Sequence, residues 1–204
     1  MMLFFIVREG LLAFSKYGIG FLIGSKWDTN TNSYGALPLL YGSATVVTGA
    51  LAIAIPLGIC TAIFISEILP FSLRDPVKSV IELLASIPSV IFGFIGIVVM
   101  VPTIAHFFGL YSGRTALTAS LVLSIMSIPT IVGISGETIS AVPKEFKEAA
   151  YGLGATKWQT IRHVVLPISK SGILASVMLG FGRAIGETTA VVMLAGNNPT
   201  IPVP

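Results

Sequence analysis

The chain has 204 residues, 54% hydrophobic and only 10% charged, where an ordinary soluble domain carries about a quarter charged residues. With a mean hydropathy of +0.92, this excludes a water-soluble globular domain and makes lipid the main solvent. The net charge of +3 and pI near 9.1 would suit nucleic acid, but the basic residues gather in short segments beside apolar runs, as they do when a membrane protein orients itself.

Taken in chain order, residues 1–7 are apolar but end at Arg8 and Glu9. That is about 10 Å of helix, too short to cross a bilayer. Residues 11–27 mix Lys16, Lys26 and Trp27 with apolar residues and glycines and read as an interfacial segment. A cleavable signal peptide is a poor fit, because no basic stretch precedes the first apolar run. The first expected span covers residues 39–65, within a stretch that carries no charge between Asp28 and Glu67. Cys60 lies inside it without a Cys or His at ligand spacing and is expected to be a small packing residue. Further spans are expected over residues 83–107, 116–142 and 171–195, the last interrupted by Arg183 and Glu187. Pro88, Pro102 and Pro129 are expected to kink their helices.

Lys and Arg fix the orientation. Residues 70–79 hold Arg74 and Lys78, and residues 143–170 hold Lys144, Lys147, Lys157, Arg162 and Lys170, against Lys26 and Arg114 on the alternate side. The seven-residue side is expected to face the cytosol, leaving the chain after Gly196 outside. Residues 143–170 are then a polar cytosolic loop within one transmembrane domain covering residues 1–204.

In that loop Glu148, Ala149 and Ala150 are followed by Gly154 and then by Val164, Leu166 and Pro167. The spacing resembles the EAA loop of ABC importer permeases, with Val164 where that pattern usually has Ile. The residue types suit docking. Two alanines permit close approach to a partner, Gly154 permits a tight turn, and Pro167 suits the first turn of a following helix. The chain has no G-x-x-x-x-G-K-[ST], so an ATPase would be a separate polypeptide. Gly182 and Gly186 form a G-x-x-x-G suited to close helix packing.

Three runs narrow the resemblance: GFGRAIGETTAVVMLAGN at 180–197, IELLASIPSVIFGFIG at 81–96, and YGALPLLYGSATVVTGALAIAIPLGICTAIFISE at 34–67. Together they closely resemble the PstC family of phosphate-specific ABC importer permeases, over nearly the whole chain. The sister PstA family shares the Arg and the Gly-Glu-Thr, whereas Ala190 to Met193 and Gly196-Asn197 look like PstC. The resemblance implies an all-α type I importer (MetI-like) fold in a prokaryotic inner membrane. It also implies a PstA-like permease as heterodimer partner, a PstB-like ATPase dimer, and a PstS-like phosphate-binding protein. Family members continue into an outer loop and a final span and begin with a complete first span, so the chain is expected to be truncated at both ends.

Within the spans, Arg183 and Glu187 are four residues apart and are expected to share one helix face, about 18 and 24 Å from the cytosolic start. An ionised group at mid-bilayer costs at least ~2.5 to 3.5 kcal/mol on insertion scales, so it is paired or faces a polar path. Two readings are open. Arg183 attracts an anion in transit while Glu187 holds its fork of donors, or the two form an ion pair that locks helices together. Glu137, Glu67 and Glu82 are expected near interfaces, where charges cost little, and His106 and His163 lack a second ligand at metal spacing. The whole reads as a permease subunit passing inorganic phosphate inward. A permease for another oxyanion or small solute, and a secondary transporter with Glu187 as proton carrier, are the alternatives.

Overall fold

A bilayer core offers no water to bond exposed N–H and C=O groups, so an apolar chain satisfies its backbone by coiling. The computed structural model describes residues 1–18, 20–25, 27–28 and 33–196. Among the described residues four helical stretches are long and apolar enough to cross a membrane: Leu37–Ile68, Ser89–Phe108, Ala116–Ser140 and Lys157–Gly186. The expected all-α bundle is therefore observed. Among the described residues the extended structure is one small antiparallel pairing, β1 (Trp27–Asp28) with β2 (Ser33–Tyr34). There the rings of Trp27 and Tyr34 meet edge to face at 5.4 Å.

At the N-terminus α1 (Met2–Tyr17) is followed by the short α2 (Gly20–Ile23). Arg8 and Glu9 fall inside α1, which continues past the seven apolar residues to Tyr17 and is not among the stretches long and apolar enough to cross. Lys26 lies outside the described residues, as do residues 197–204 and with them Asn197. The first span is α3 (Leu37–Ile63), with Pro38 in its first turn, running into a wide π turn at Phe64–Ile68. Cys60 is exposed on the outward face of α3, so it is not the packing residue expected.

The second span starts later than expected. Residues 83–86 belong to a separate helix, α4 (Phe71–Ser86), and Ile87 is extended with ψ of 129°. Pro88 causes this, since a residue preceding proline is pushed out of the helical region. The span itself is α5 (Ser89–Ile95), a π turn at Gly96–Met100, and α6 (Val101–Phe108) with Pro102 in its first turn. The third span, α7 (Ala116–Ser140), is capped at its start by Thr115, whose hydroxyl accepts the Thr118 N–H. Pro129 lies inside this helix.

The fourth span is longer at one end and broken at the other. After α8 (Lys144–Gly152), one helical run begins at Lys157 as α9 (Lys157–Thr160), passes through a π turn at Ile161–Val165 and continues as α10 (Leu166–Gly186). It stops at Glu187, and α11 (Thr189–Leu194) follows. Pro167 thus lies in the first turn of α10, as expected, although α10 continues a helical run that begins at Lys157. The preceding π turn explains how: proline gives no bond to the carbonyl four residues back, and the Leu166 N–H reaches back five residues to Ile161 instead.

α7 is the hub. Leu123, Met126, Ile131 and Ile139 on it are almost wholly buried between α3 and α10. Close approach depends on two glycines that flank Ile131. A Cβ at Gly58 of α3 or at Gly180 of α10 would come within 2.8 Å of the Ile131 side chain. Hydroxyls tie the same helices: Ser120 donates to the Val46 carbonyl at 3.0 Å, Ser66 to the Gly136 carbonyl at 3.1 Å, and the Ser135 and Ser176 hydroxyls meet at 2.6 Å. Gly182 and Gly186 behave differently, since a Cβ there would meet open space within this chain.

Overpacking a filled site costs about 1–3 kcal/mol. Gly180→Val should therefore lower the unfolding midpoint of the isolated protein in detergent. Gly182→Val, on an open face, should leave stability within about 0.5 kcal/mol. Equal effects at the two positions would contradict the packing of α10 on α7.

Candidate functional site

Two places gather the residues singled out by sequence. The first is the helical hairpin of α8 and α9. Glu148 and Ala149 are exposed on α8 and Ala150 is half-buried. The α8 turn closes at Gly154, whose φ of +83° suits glycine and strains any β-branched residue. Its N–H donates to the Tyr151 carbonyl at 2.9 Å and the Ala155 N–H to the Ala150 carbonyl at 3.0 Å, the pair of bonds that closes a Schellman turn.

The next helix is started by a capping box. The Thr156 hydroxyl accepts the Gln159 N–H at 3.4 Å, and the Gln159 side chain accepts the Thr156 N–H at 2.8 Å. Residues 157–170 consequently belong to the fourth long helix, and only α8 and its turns stand apart from the spans. Leu166 is half-buried and Pro167 exposed, both on that long helix.

Around the hairpin Phe146, Tyr151, Leu153 and Trp158 are exposed, Leu153 by 91%. Sequence reasoning passed over these four. The available signal was large apolar residues in an otherwise polar segment, and such a cluster marks a contact surface. Beneath α8, Lys147 Nζ lies 2.6 Å from Glu67 Oε1, with both side chains largely removed from solvent. Glu67, expected at an interface, lies in the turn that ends the first span and is in addition paired there.

The second place is around Arg183, half-buried near the end of α10. Its Nη1 donates to the Thr130 hydroxyl of α7 at 3.1 Å and its Nη2 to the Ala85 carbonyl of α4 at 3.4 Å. Ala85 also lines a cavity of about 210 Å³ between α3, α4 and α7, shared with Lys78, Glu82, Pro129 and Glu137.

Arg183 and Glu187 do not share a helix face. The helix ends at Gly186, and Glu187 has extended backbone with ψ of 107°. Its Oε1 lies 3.5 Å from the Ala190 N–H, one of the unpaired donors at the start of α11. Spacing of four residues brings side chains together only in an unbroken helix, and this one is broken between them. Among the described residues the ion pair within 4.0 Å is Lys147–Glu67, so Arg183 is held by two uncharged acceptors. His106 lies in the last turn of α6, and His163 Nδ1 lies 3.1 Å from the Gln159 carbonyl within the fourth helix.

The profile of a family described as "Binding-protein-dependent transport system inner membrane component" matches residues 54–202. The chain belongs to that family. It is thus a multi-pass inner membrane component of the MetI-like permease fold, the fold expected from its sequence. Among curated proteins it is 42% identical to the "Probable ABC transporter permease protein YqgH" of Bacillus subtilis, over 97% of this chain and 66% of that protein. Two proteins named "Phosphate transport system permease protein PstC" are also similar. That of Mesorhizobium japonicum is 41% identical over 91% of this chain and 62% of its own length. That of Haemophilus influenzae is 38% identical over 92% and 65%. The chain thus spans slightly less than two thirds of the length of these relatives.

Removing the hydroxyl of an N-cap threonine costs about 1 kcal/mol. Thr156→Ala should accordingly speed amide exchange over residues 157–160 without changing the spans. Unchanged exchange there would show that α9 does not depend on its capping box.

Proposed function

We propose that the chain is the membrane-spanning part of an ATP-driven importer that passes inorganic phosphate inward, with Arg183 beside the path. The observation that carries this reading is the way Arg183 is held. Its neighbours Thr130 and Ala85 accept hydrogen bonds without neutralising it, and Glu187 is turned away. A guanidinium whose positive charge is left unmatched inside a bundle attracts an anion, and its planar fork suits phosphate oxygens. The ion-pair lock, the competing reading, loses its main support once the helix breaks at Glu187. Glu187 then serves the path indirectly, by holding the junction between α10 and α11. The similarity to proteins named for phosphate transport supports phosphate over other oxyanions.

ATP hydrolysis belongs to a separate, PstB-like ATPase docked on α8 at Glu148 to Gly154. Support comes from the exposed Phe146, Tyr151 and Leu153 on α8 and its turn, which stand apart from the spans, and from the exposed Trp158 at the adjoining start of the fourth helix. Leu166 and Pro167 begin the part of the fourth helix that carries the hairpin into the bundle. A PstA-like permease would complete the pathway and a PstS-like binding protein would deliver the anion. In this arrangement the hairpin faces the cytosol.

In a full-length permease assembled with these partners, Arg183→Gln should reduce uptake of labelled phosphate by about 10- to 100-fold, the loss of one charge-assisted hydrogen bond. Glu187→Gln should reduce it less. Normal uptake by the Arg183 variant, with assembly intact, would remove Arg183 from the path. Equal competition by sulfate or molybdate would move the substrate assignment to another oxyanion.

The docking reading has its own measurement. Forcing a β-branched residue into the left-handed conformation costs ~1–3 kcal/mol, so Gly154→Val should distort the hairpin and lower co-purification of the ATPase. In a Cys60→Ala background, an impermeant thiol reagent added outside should label Ser112→Cys and spare Leu153→Cys. The reverse labelling would overturn the orientation, and with it the docking.

A further inference from the structure

The Lys147–Glu67 contact joins two parts of the molecule that sequence keeps 80 residues apart. Lys147 is on α8 directly before Glu148, and Glu67 is in the π turn that ends the first span. At 2.6 Å, with side-chain exposures of 18% and 8%, the pair is short and mostly out of water. Surface ion pairs are loose and screened, whereas a desolvated pair holds its geometry and resists being separated.

The setting gives that stiffness a use. No residue of α8 is buried, so few apolar contacts fix the helix to the bundle. Covalently, α8 is joined to α7 through residues 141–143 and to α9 through residues 153–156. A push on α8 therefore reaches α7 and α10 along the backbone. It reaches α3 by another route, and among the described residues Lys147–Glu67 is the polar link between α8 and the α3 run. The far end of that link sits in a π turn, where the Leu69 N–H reaches the Phe64 carbonyl at 2.8 Å and the Arg74 side chain donates to the Leu69 carbonyl at 3.0 Å. Single π turns are frequent where a helix must adapt.

We propose that Lys147 and Glu67 are positioning residues that carry displacement of α8 to the first span, so that α3 moves with α7 and α10 when an ATPase acts on the hairpin. This rests on the docking reading above. Without the pair the ATPase still binds and hydrolyses ATP, but α3 lags and the pathway does not open fully.

The test uses the full-length permease, assembled with its partner permease, ATPase and binding protein in proteoliposomes, with labelled inorganic phosphate inside-uptake and ATP hydrolysis measured together. Lys147→Ala and Glu67→Gln should assemble, at some cost in stability from the group left unpaired; per assembled complex they should hydrolyse ATP within about twofold of the parent, while phosphate moved per ATP falls at least about fivefold. Lys147→Arg, and the exchange Lys147→Glu with Glu67→Lys, keep a pair in place and should recover more than half of that ratio. An unchanged ratio in Lys147→Ala would overturn the proposal. So would loss of assembly in both single variants, which would make the pair a structural lock, and so would an exchange variant as poorly coupled as the single ones. If the parent complex itself shows no ATP-driven uptake, the transport reading falls and this proposal with it. If the parent couples and the variants match it, the tether alone falls.

Discussion

Everything in this bundle depends on how closely α7 can be approached. Ile131 is wholly buried between the bare backbones of Gly58 and Gly180, and that contact sets the distance from α7 to α3 on one side and to α10 on the other. Once it is set, hydroxyls one or two turns away fall within bonding range, as at Ser135 with Ser176 and Ser66 with Gly136. Thr130, the neighbour of Ile131, is thereby presented to the guanidinium of Arg183. The packing of an apolar side chain and the placing of a charged one are thus a single event. In lipid this matters more than in water, since helices gain little from hiding apolar surface from one another and associate through fit and polar contacts.

Much of this was legible in the order of residues. Long apolar runs located the spans because length and hydropathy are local properties, and the third span, from Ala116, began where expected. The Glu148 to Pro167 spacing likewise located the hairpin, since it needs only neighbours in sequence. Boundaries were less legible where a capping pair or a proline decided them. Thr156 and Gln159 start a helix inside a stretch that reads as loop, and Pro88 ends one inside a stretch that reads as span. The Arg183–Glu187 relation failed for a different reason: inferring a shared face from spacing presumes an unbroken helix. Lys147 with Glu67 could not be read at all, because nothing local connects two residues that distant in the chain.

The polar residues of the structure fall into two groups. The buried serines and threonines within the spans bond to nearby carbonyls or to one another, and no described buried side-chain nitrogen or oxygen lacks a partner. They serve the fold. Three of the charged groups drawn into the bundle sit at or near a discontinuity of a helix: Glu67 in a π turn, Arg183 a few residues before the end of α10, Glu187 at the break itself. Helix discontinuities expose backbone groups that need partners, which makes them tolerant of charge and suited to rearrangement.

The wide turn at Ile161–Val165 bears on how the sequence can vary. A π turn accommodates one residue more than the α-helix would, and one residue is about 100° of rotation. Ser169, Ser176, Gly180 and Ala184 line up against the bundle only because that extra residue has already been absorbed upstream. Losing a single residue there would leave a perfectly good helix whose azimuth is wrong, swinging the serine and glycine edge toward lipid and carrying Arg183 away from Thr130. The irregular turn is therefore a phase adjuster: it lets the hairpin end and the membrane end of one continuous rod face the directions each requires.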